Sequence, residues 1–327
     1  MIPEQGESVL VVGGAGYIGQ VLDLELLKAG YKITSLDANI HGEQDLSLLT
    51  SFPNFTQLTG DIRDQGLVAE LAQKFDSIIF LASLVGEAAC NLNFNDTIQV
   101  NYLAPLNWWT AVKYFGRAKR FIFTSTDSCY GQRPGERLRE ESELLPLSLY
   151  GELKAKVEKE LLASQDGKTA PIVLRLATVY GLAPRMRFDL VVNLLTRDAC
   201  FRKKLTIFSG DQWRPLVHVS DVARAFHMAL DSPLEKVKGQ VFNVGSNENN
   251  IQFKDLGKII TDCIPGSHLK ILPGDPDLRD YYVDFTKINK VLGFSPKVSL
   301  RSGILELAAA LKAGVFADPY NKRYANA

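Results

Sequence analysis

Gly13-Gly14-Ala15-Gly16-Tyr17-Ile18-Gly19 is the stretch on which the reading of this chain turns. Gly13, Gly16 and Gly19 recur at every third residue. They follow an apolar run at residues 8–13 and open a helical pattern at residues 17–29, with Gly30 as its stop. In a strand-to-helix turn, glycines permit a tight bend and close approach of the backbone to a pyrophosphate, which rests on amides at the helix N-terminus. A turn that needs glycine only for steric reasons would look the same; the flanking strand and helix favour a dinucleotide site. Asp37 ends the next apolar run, about twenty residues on, where a carboxylate binds the adenosine ribose hydroxyls and repels a 2′-phosphate. That favours NAD as cofactor over NADP. The alternative for Asp37 is a turn residue before Ala38-Asn39. Asp61 and Ile62, after the third apolar run, are placed to meet the adenine; Asp61 could equally cap the following helix.

Outward from this turn, strands are expected at residues 31–36, 55–59, 77–82, 120–125 and 170–176. Helices are expected at 95–116 and 149–164. Strands separated by helices predict parallel βαβ units. An uninterrupted apolar run such as Ile78-Ile79-Phe80-Leu81 fits a strand covered on both faces. The expected fold is therefore α/β, a doubly wound parallel sheet of Rossmann type with a smaller C-terminal substrate-binding lobe. Residues 1–180 form the expected NAD-binding domain, and 181–327 are mainly the substrate lobe, with some chain returning to the first domain. In that second part helices are expected at 188–200, 220–230, 251–264 and 300–313. The polar loop 132–143 has the length and position of a lid.

Composition narrows the function classes. Lys+Arg and Asp+Glu each number 37, so the formal net charge is zero, and no basic block offers a nucleic-acid footprint. No apolar run approaches the ~20 residues that span a bilayer. The polar N-terminal residues do not read as a signal peptide. Cys90, Cys129, Cys200 and Cys263 are widely spaced, as expected of reduced thiols in a cytoplasmic protein. No metal site is expected.

Tyr150 and Lys154 stand four apart in Tyr-Gly-Glu-Leu-Lys, which puts both on one helical face. A phenol with an ordinary pKa of ~10 needs nearby positive charge to serve as a base near neutrality. Spacing alone would also suit a solvated helix pair. Ser125 and Thr126 end the fifth strand, where the carboxyl edge of an open parallel sheet lines its ligand crevice. Turn chemistry is their alternative.

As a set, these residues resemble the extended short-chain dehydrogenase/reductases, in particular their NAD-dependent nucleotide-sugar epimerase/dehydratase branch. The resemblance covers nearly the whole chain. It implies that Thr126, four residues before Tyr130-Gly131, is the catalytic hydroxyl, Tyr150 the general acid/base and Lys154 its partner. It implies cofactor contacts from Leu81, Ala82 and Ser83, with Phe80 standing where the family often has His. Asn101 matches an asparagine beside the active site and is expected at the cofactor. Substrate contacts are implied for Ser125, Thr126, Asp127, Asn193, Arg214 and Arg279, with Arg185 or Arg187 as further sugar or phosphate contacts. Two arginines suit a diphosphate through bidentate, charge-assisted bonds; a salt bridge is the alternative for Arg279. His218 and Asp221 are expected to organise their segment.

The implied reaction is transient oxidation at a carbinol carbon of a nucleotide-diphosphate sugar. Related 4,6-dehydratases carry Thr-Asp-Glu, whereas this chain has Thr126-Asp127-Ser128; serine is a poor base. A 4-epimerase is therefore the first reading, and a 4-keto reductase or dehydratase the alternative. A non-catalytic NAD(H)-binding sensor is the rival from another class, disfavoured because Thr126, Tyr150 and Lys154 are all present. The resemblance further implies a homodimer paired through helices 95–116 and 149–164, with Trp108 and Trp109 as candidate contributors.

Overall fold

The structure is a computed structural model that describes residues 6–86, 90, 92–164, 167–274 and 279–326. Seven strands form the main sheet: β1 (Ser8–Val12), β2 (Lys32–Asp37), β3 (Phe55–Thr59), β4 (Ser77–Phe80), β5 (Arg120–Thr126), β7 (Ala170–Leu176) and β11 (Gln240–Val244). Their order is β3-β2-β1-β4-β5-β7-β11, and every pairing is parallel. The order reverses between β1 and β4, the position at which doubly wound sheets open a ligand crevice.

The sequence explains the layering. Ile78, Ile79 and Phe80 of β4 are fully buried, as a central parallel strand requires. Each such side chain contributes roughly 1.5–3 kcal/mol by leaving water. Phe80 packs against Trp108, Phe121 and Phe123, so where the family often has histidine this chain has core. The helix Gly19–Lys28 stops where predicted: Tyr31 N donates to Leu26 O, Gly30 N donates to Leu27 O, and Gly30 has φ +95°.

The long helix expected at 95–116 is interrupted. Phe94–Ile98 and Ala104–Phe115 are α-helical, but Gln99–Leu103 widens to a π turn in which Ala104 N donates to Gln99 O. Pro105 has no N–H for the Asn101 carbonyl, and its ring crowds that carbonyl, which the wider turn relieves. Trp108 and Trp109 are both core residues, bonding through their indole nitrogens to Ile62 O (3.0 Å) and Ser164 Oγ (2.8 Å). They do not face outward as dimer contributors would.

After β7 the chain builds smaller sheets. β8 (Thr178–Tyr180), β10 (Trp213–His218) and β12 (Asn250–Gln252) form one, and β9 (Lys204–Phe208) pairs with β13 (His268–Leu272). Helices Val191–Phe201, Phe253–Cys263 and Leu300–Lys312 pack a separate core around them. The helix Val219–Asp231 and β11 return to the main sheet, where that helix lies against Gly19–Lys28. The 132–143 loop is not a free lid. Its short β6 (Arg137–Leu138) pairs with β14 (Tyr282–Val283), and Asp284 N donates to Leu138 O at 2.7 Å.

Candidate active site

The glycine turn joins β1 to the helix Gly19–Lys28. Gly13 has φ +90°, donates to Leu36 O at 2.7 Å, and lies so close to the end of β4 that a Cβ there would stand 2.6 Å from Ala82 N. No side chain caps the helix, so its first amides are available to an anion. Asp37, at the end of β2, accepts from Ala15 N (3.1 Å) and Asn39 N (2.9 Å). It therefore ties down the turn while facing the cleft, and burial raises its carboxyl above the usual range. The cleft, of about 390 Å³, is walled by Gly13, Gly16, Tyr17, Ile18, Asp37, Asp61, Ile62, Leu81, Ala82 and Ser83. These residues fit a dinucleotide: a cradle that any Cβ would fill, uncapped amides, and a carboxylate at the ribose end.

Two cofactor expectations change in detail. Asp61 is not the helix cap; Asp64 caps Gln65–Leu71, and Asp61 pairs with Arg63 at 2.6 Å, which holds its carboxyl low. Asn101 does not line the cleft. Its Oδ1 accepts from Leu84 N (2.8 Å) and Ser83 Oγ (2.9 Å), while its Nδ2 donates to Leu84 O (2.8 Å). It clamps the wall that follows β4, and the π turn sets it there.

Ser148 caps the helix Leu149–Ala163 by accepting from Gly151 N at 3.2 Å. That fixes the face carrying Tyr150 and Lys154. Lys154 is buried, and its Nζ donates to Thr124 O at 2.9 Å, 4.7 Å from the Phe123 ring and 5.8 Å from the Tyr150 ring. Burial pushes Lys154 down to about 8 and pushes the Tyr150 phenol up. Thr126 ends β5, and its Oγ1 accepts from Ser128 N at 3.1 Å. The neighbouring Ser125 is buried with its Oγ 3.7 Å from Cys129 Sγ, and Cys129 Sγ donates to Gly151 O. Ser125 thus packs the base of the helix, a role different from the expected substrate contact.

Asp127 and Arg214 are joined through Tyr281. The Tyr281 hydroxyl donates to Asp127 Oδ1 at 3.0 Å, and Arg214 donates to the Tyr281 oxygen at 3.2 Å. The Arg214 guanidinium stacks between the rings of Tyr281 and Phe253. Arg279 lies within electrostatic reach of Asp127; Asp277 and Leu278, quoted beside it, lie outside the described residues. Burial pushes Asp127 up to about 7 against the pull of Arg214. Tyr281, the link in this cluster, gave no sequence signal.

Asn193 serves a different purpose from the expected one. It is fully buried, accepts from Gly181 N (3.0 Å), and donates to Tyr17 Oη (3.2 Å) and Arg187 O (2.9 Å). With the Tyr17 hydroxyl donating to Gly181 O (2.7 Å), it locks the glycine turn to the chain after β8. His218 and Asp221 are structural: His218 bridges Ser220 and Glu306, and Asp221 accepts from Lys297 N and Val298 N. Arg185 and Arg187, expected as sugar or phosphate contacts, line the cofactor cleft together with His41 and Asn326.

The sequence pattern of the NAD dependent epimerase/dehydratase family matches residues 9–245. The chain belongs to that family. It is 30% identical over 320 residues to an uncharacterized UDP-glucose epimerase, YtcB, of Bacillus subtilis (strain 168), covering 93% of this chain and 97% of that one. It is 29% identical to a dTDP-glucose 4,6-dehydratase of Streptomyces niveus, covering 91% of this chain and 90% of the relative. The UDP-glucuronic acid 4-epimerase of Bacillus cereus, solved with UDP-glucuronic acid and NAD, superposes with TM-score 0.81 at 26% identity over 94% of this chain and 99% of that one. UDP-glucuronic acid decarboxylases of Arabidopsis thaliana are similar as well. The family is NAD-dependent, so NAD is the cofactor for which the cleft is built, and the relatives act on nucleotide sugars.

Proposed function

We propose that this family member is a nucleotide-sugar 4-epimerase. The observation that carries the reading is the strand-end sequence Thr126-Asp127-Ser128 beside Tyr150 and Lys154. It offers one hydroxyl and one phenol for a carbinol, but no carboxylate at position 128 to act on a neighbouring carbon. NAD, when bound, supplies reversible hydride acceptance from that carbinol. Tyr150 takes the hydroxyl proton as the carbon is oxidised and returns it after the sugar has turned its other face. Thr126 holds the same oxygen by a hydrogen bond. Lys154, buried one helical turn away, supplies the positive charge that lowers the phenol's pKa. Arg214 and Arg279 take the diphosphate end, with Tyr281 fixing Arg214 relative to Asp127. The chain after residue 180 is the substrate lobe in this reading.

One observation favours a second reading. Asp127 is buried and shifted to about 7, so it can hold a proton at neutral pH, as an acid for eliminating water must. Incubating the purified protein with a panel of UDP-, dTDP-, CDP- and GDP-sugars, without added cofactor, separates the readings by NMR. Inversion at one carbon supports the epimerase. A 6-deoxy-4-keto product establishes the dehydratase instead. We further propose a cytoplasmic homodimer joined along the helices of residues 94–115 and 149–163, with exposed Phe94 and Leu103 at the contact. Sedimentation of Phe94→Glu against the parent tests this, and an unchanged dimer mass would exclude that contact.

A further inference from the structure

Arg185, in the cofactor cleft, is left unexplained by the assignments above. It is 6% exposed, and its Nε is buried without a hydrogen-bond partner among the described residues. Its Nη2 donates to a neutral acceptor, Asn326 Oδ1, at 2.7 Å. A guanidinium is charged at any physiological pH, and a buried charge without an anion is costly. Arg187, two residues on, is already neutralised: it grips Asp189 through two bonds of 3.0 and 2.5 Å. Asp37 and Asp189 lie within electrostatic reach of Arg185, but no bond from its Nε to either is seen among the described residues, which leaves that donor for a bound anion.

Position identifies the anion. Arg185 lies within electrostatic reach of Asp37, which marks the adenosine end of the cleft. Arg187 lies within reach of Tyr150, which marks the nicotinamide end. The loop that carries both thus lines the same cleft as Gly13 and Gly16, between the residues that mark its two ends. The middle of a dinucleotide is its pyrophosphate. The loop is held there by the C-terminal segment: Phe188 N donates to Tyr324 O at 2.8 Å, and Phe188, Phe316 and Tyr324 form a three-ring cluster with centroids 5.1–5.5 Å apart. Two residues after Tyr324, Asn326 reaches into the cleft.

We infer that Arg185 is a cofactor-pyrophosphate receptor, and that the C-terminal segment, through Tyr324 and Asn326, positions it. The inference rests on the dinucleotide reading of the cleft. It assigns to the cofactor an arginine that the family resemblance placed with the sugar or phosphates of the substrate.

Titration calorimetry with adenosine, ADP, NAD and NADP tests it on the parent protein, Arg185→Ala and Asn326→Ala. Arg185→Ala should weaken ADP and NAD by about tenfold to a hundredfold, the range for a hydrogen bond to a charged group, and leave adenosine within about twofold. Asn326→Ala should weaken ADP and NAD severalfold in the same pattern. Should Arg185→Ala fail to fold, Arg185→Gln removes the charge at similar size and carries the same expectation. Equal NAD affinity in parent and Arg185 variant overturns the inference, as does equal loss for adenosine and ADP. Loss for NADP with NAD unchanged reassigns Arg185 to a 2′-phosphate. An Asn326→Ala protein with parental affinities removes the C-terminal segment from the account. Failure of the parent to bind NAD at all overturns the dinucleotide reading, and this inference with it.

Discussion

Lys154 holds its Nζ 5.8 Å from the centre of the Tyr150 ring while donating to the Thr124 carbonyl at 2.9 Å. The amine is fixed to the strand that ends in Thr126, so strand and helix together set the distance between phenol and charge. In the structure burial raises the phenol. An oxidised nicotinamide, when bound, would supply further positive charge to the site and so lower the phenol. Tyr150→Phe should therefore lose about 10²–10⁴-fold in kcat, the usual worth of a positioned acid/base, while NAD affinity by titration stays within severalfold. Turnover at the parental rate would remove Tyr150 from the chemistry.

The glycine turn makes a steric prediction. Gly13→Ala demands both a positive φ and a Cβ against Ala82 N. Backbone strain alone costs about 1–3 kcal/mol. Lower thermal stability together with loss of NAD binding is expected, read by calorimetry and titration. Unaltered NAD affinity would show that the turn does not approach the cofactor.

Asn101→Ala should act through the wall of the cleft. It leaves Leu84 N–H without its partner and removes one of the donors to Leu84 C=O, at a cost of about 1–3 kcal/mol. The melting temperature should fall and NAD should bind more weakly, with kcat at saturating NAD less affected. A kcat loss at saturating NAD as large as that of Tyr150→Phe would mean that Asn101 takes part in the reaction itself.

Asp127 predicts a pH signature. Burial raises its carboxyl from the ordinary 3.8 to about 7. A carboxyl whose folded pKa is raised favours the folded state below its unfolded value, and that stability is lost as pH rises through the folded value. Between pH 4 and 7 the parent should therefore lose stability relative to Asp127→Asn, measured by thermal unfolding at stepped pH. A stability difference that stays flat across that window would contradict the shift.

Much of this was legible in sequence because it is local. The glycine turn, Asp37 and Tyr150/Lys154 each depend on neighbours within one strand and one helix. What stayed hidden depends on contacts between distant segments. Tyr17 meets Gly181, and Asn193 is used up at that junction, so its polar side chain looked like a substrate contact but is an internal brace. The 132–143 loop read as a lid because its partner strand, β14, follows more than a hundred residues later. Arg185 comes within electrostatic reach of Asp37 on a loop that packs, through Phe188, against the C-terminal rings. The π turn was written in Pro105, but a proline after the first turn of a long helical pattern also reads as an ordinary helix continuing.

The central claim is that hydride leaves one sugar carbon and returns to it within a single protein–NAD complex, with Tyr150 handling the hydroxyl proton. Conversion of a nucleotide sugar in deuterated water, followed by NMR, tests it most directly. The account predicts inversion at one carbon with its original hydrogen retained and no added cofactor required. Deuterium at the inverted carbon, or no conversion of any nucleotide sugar, would contradict it.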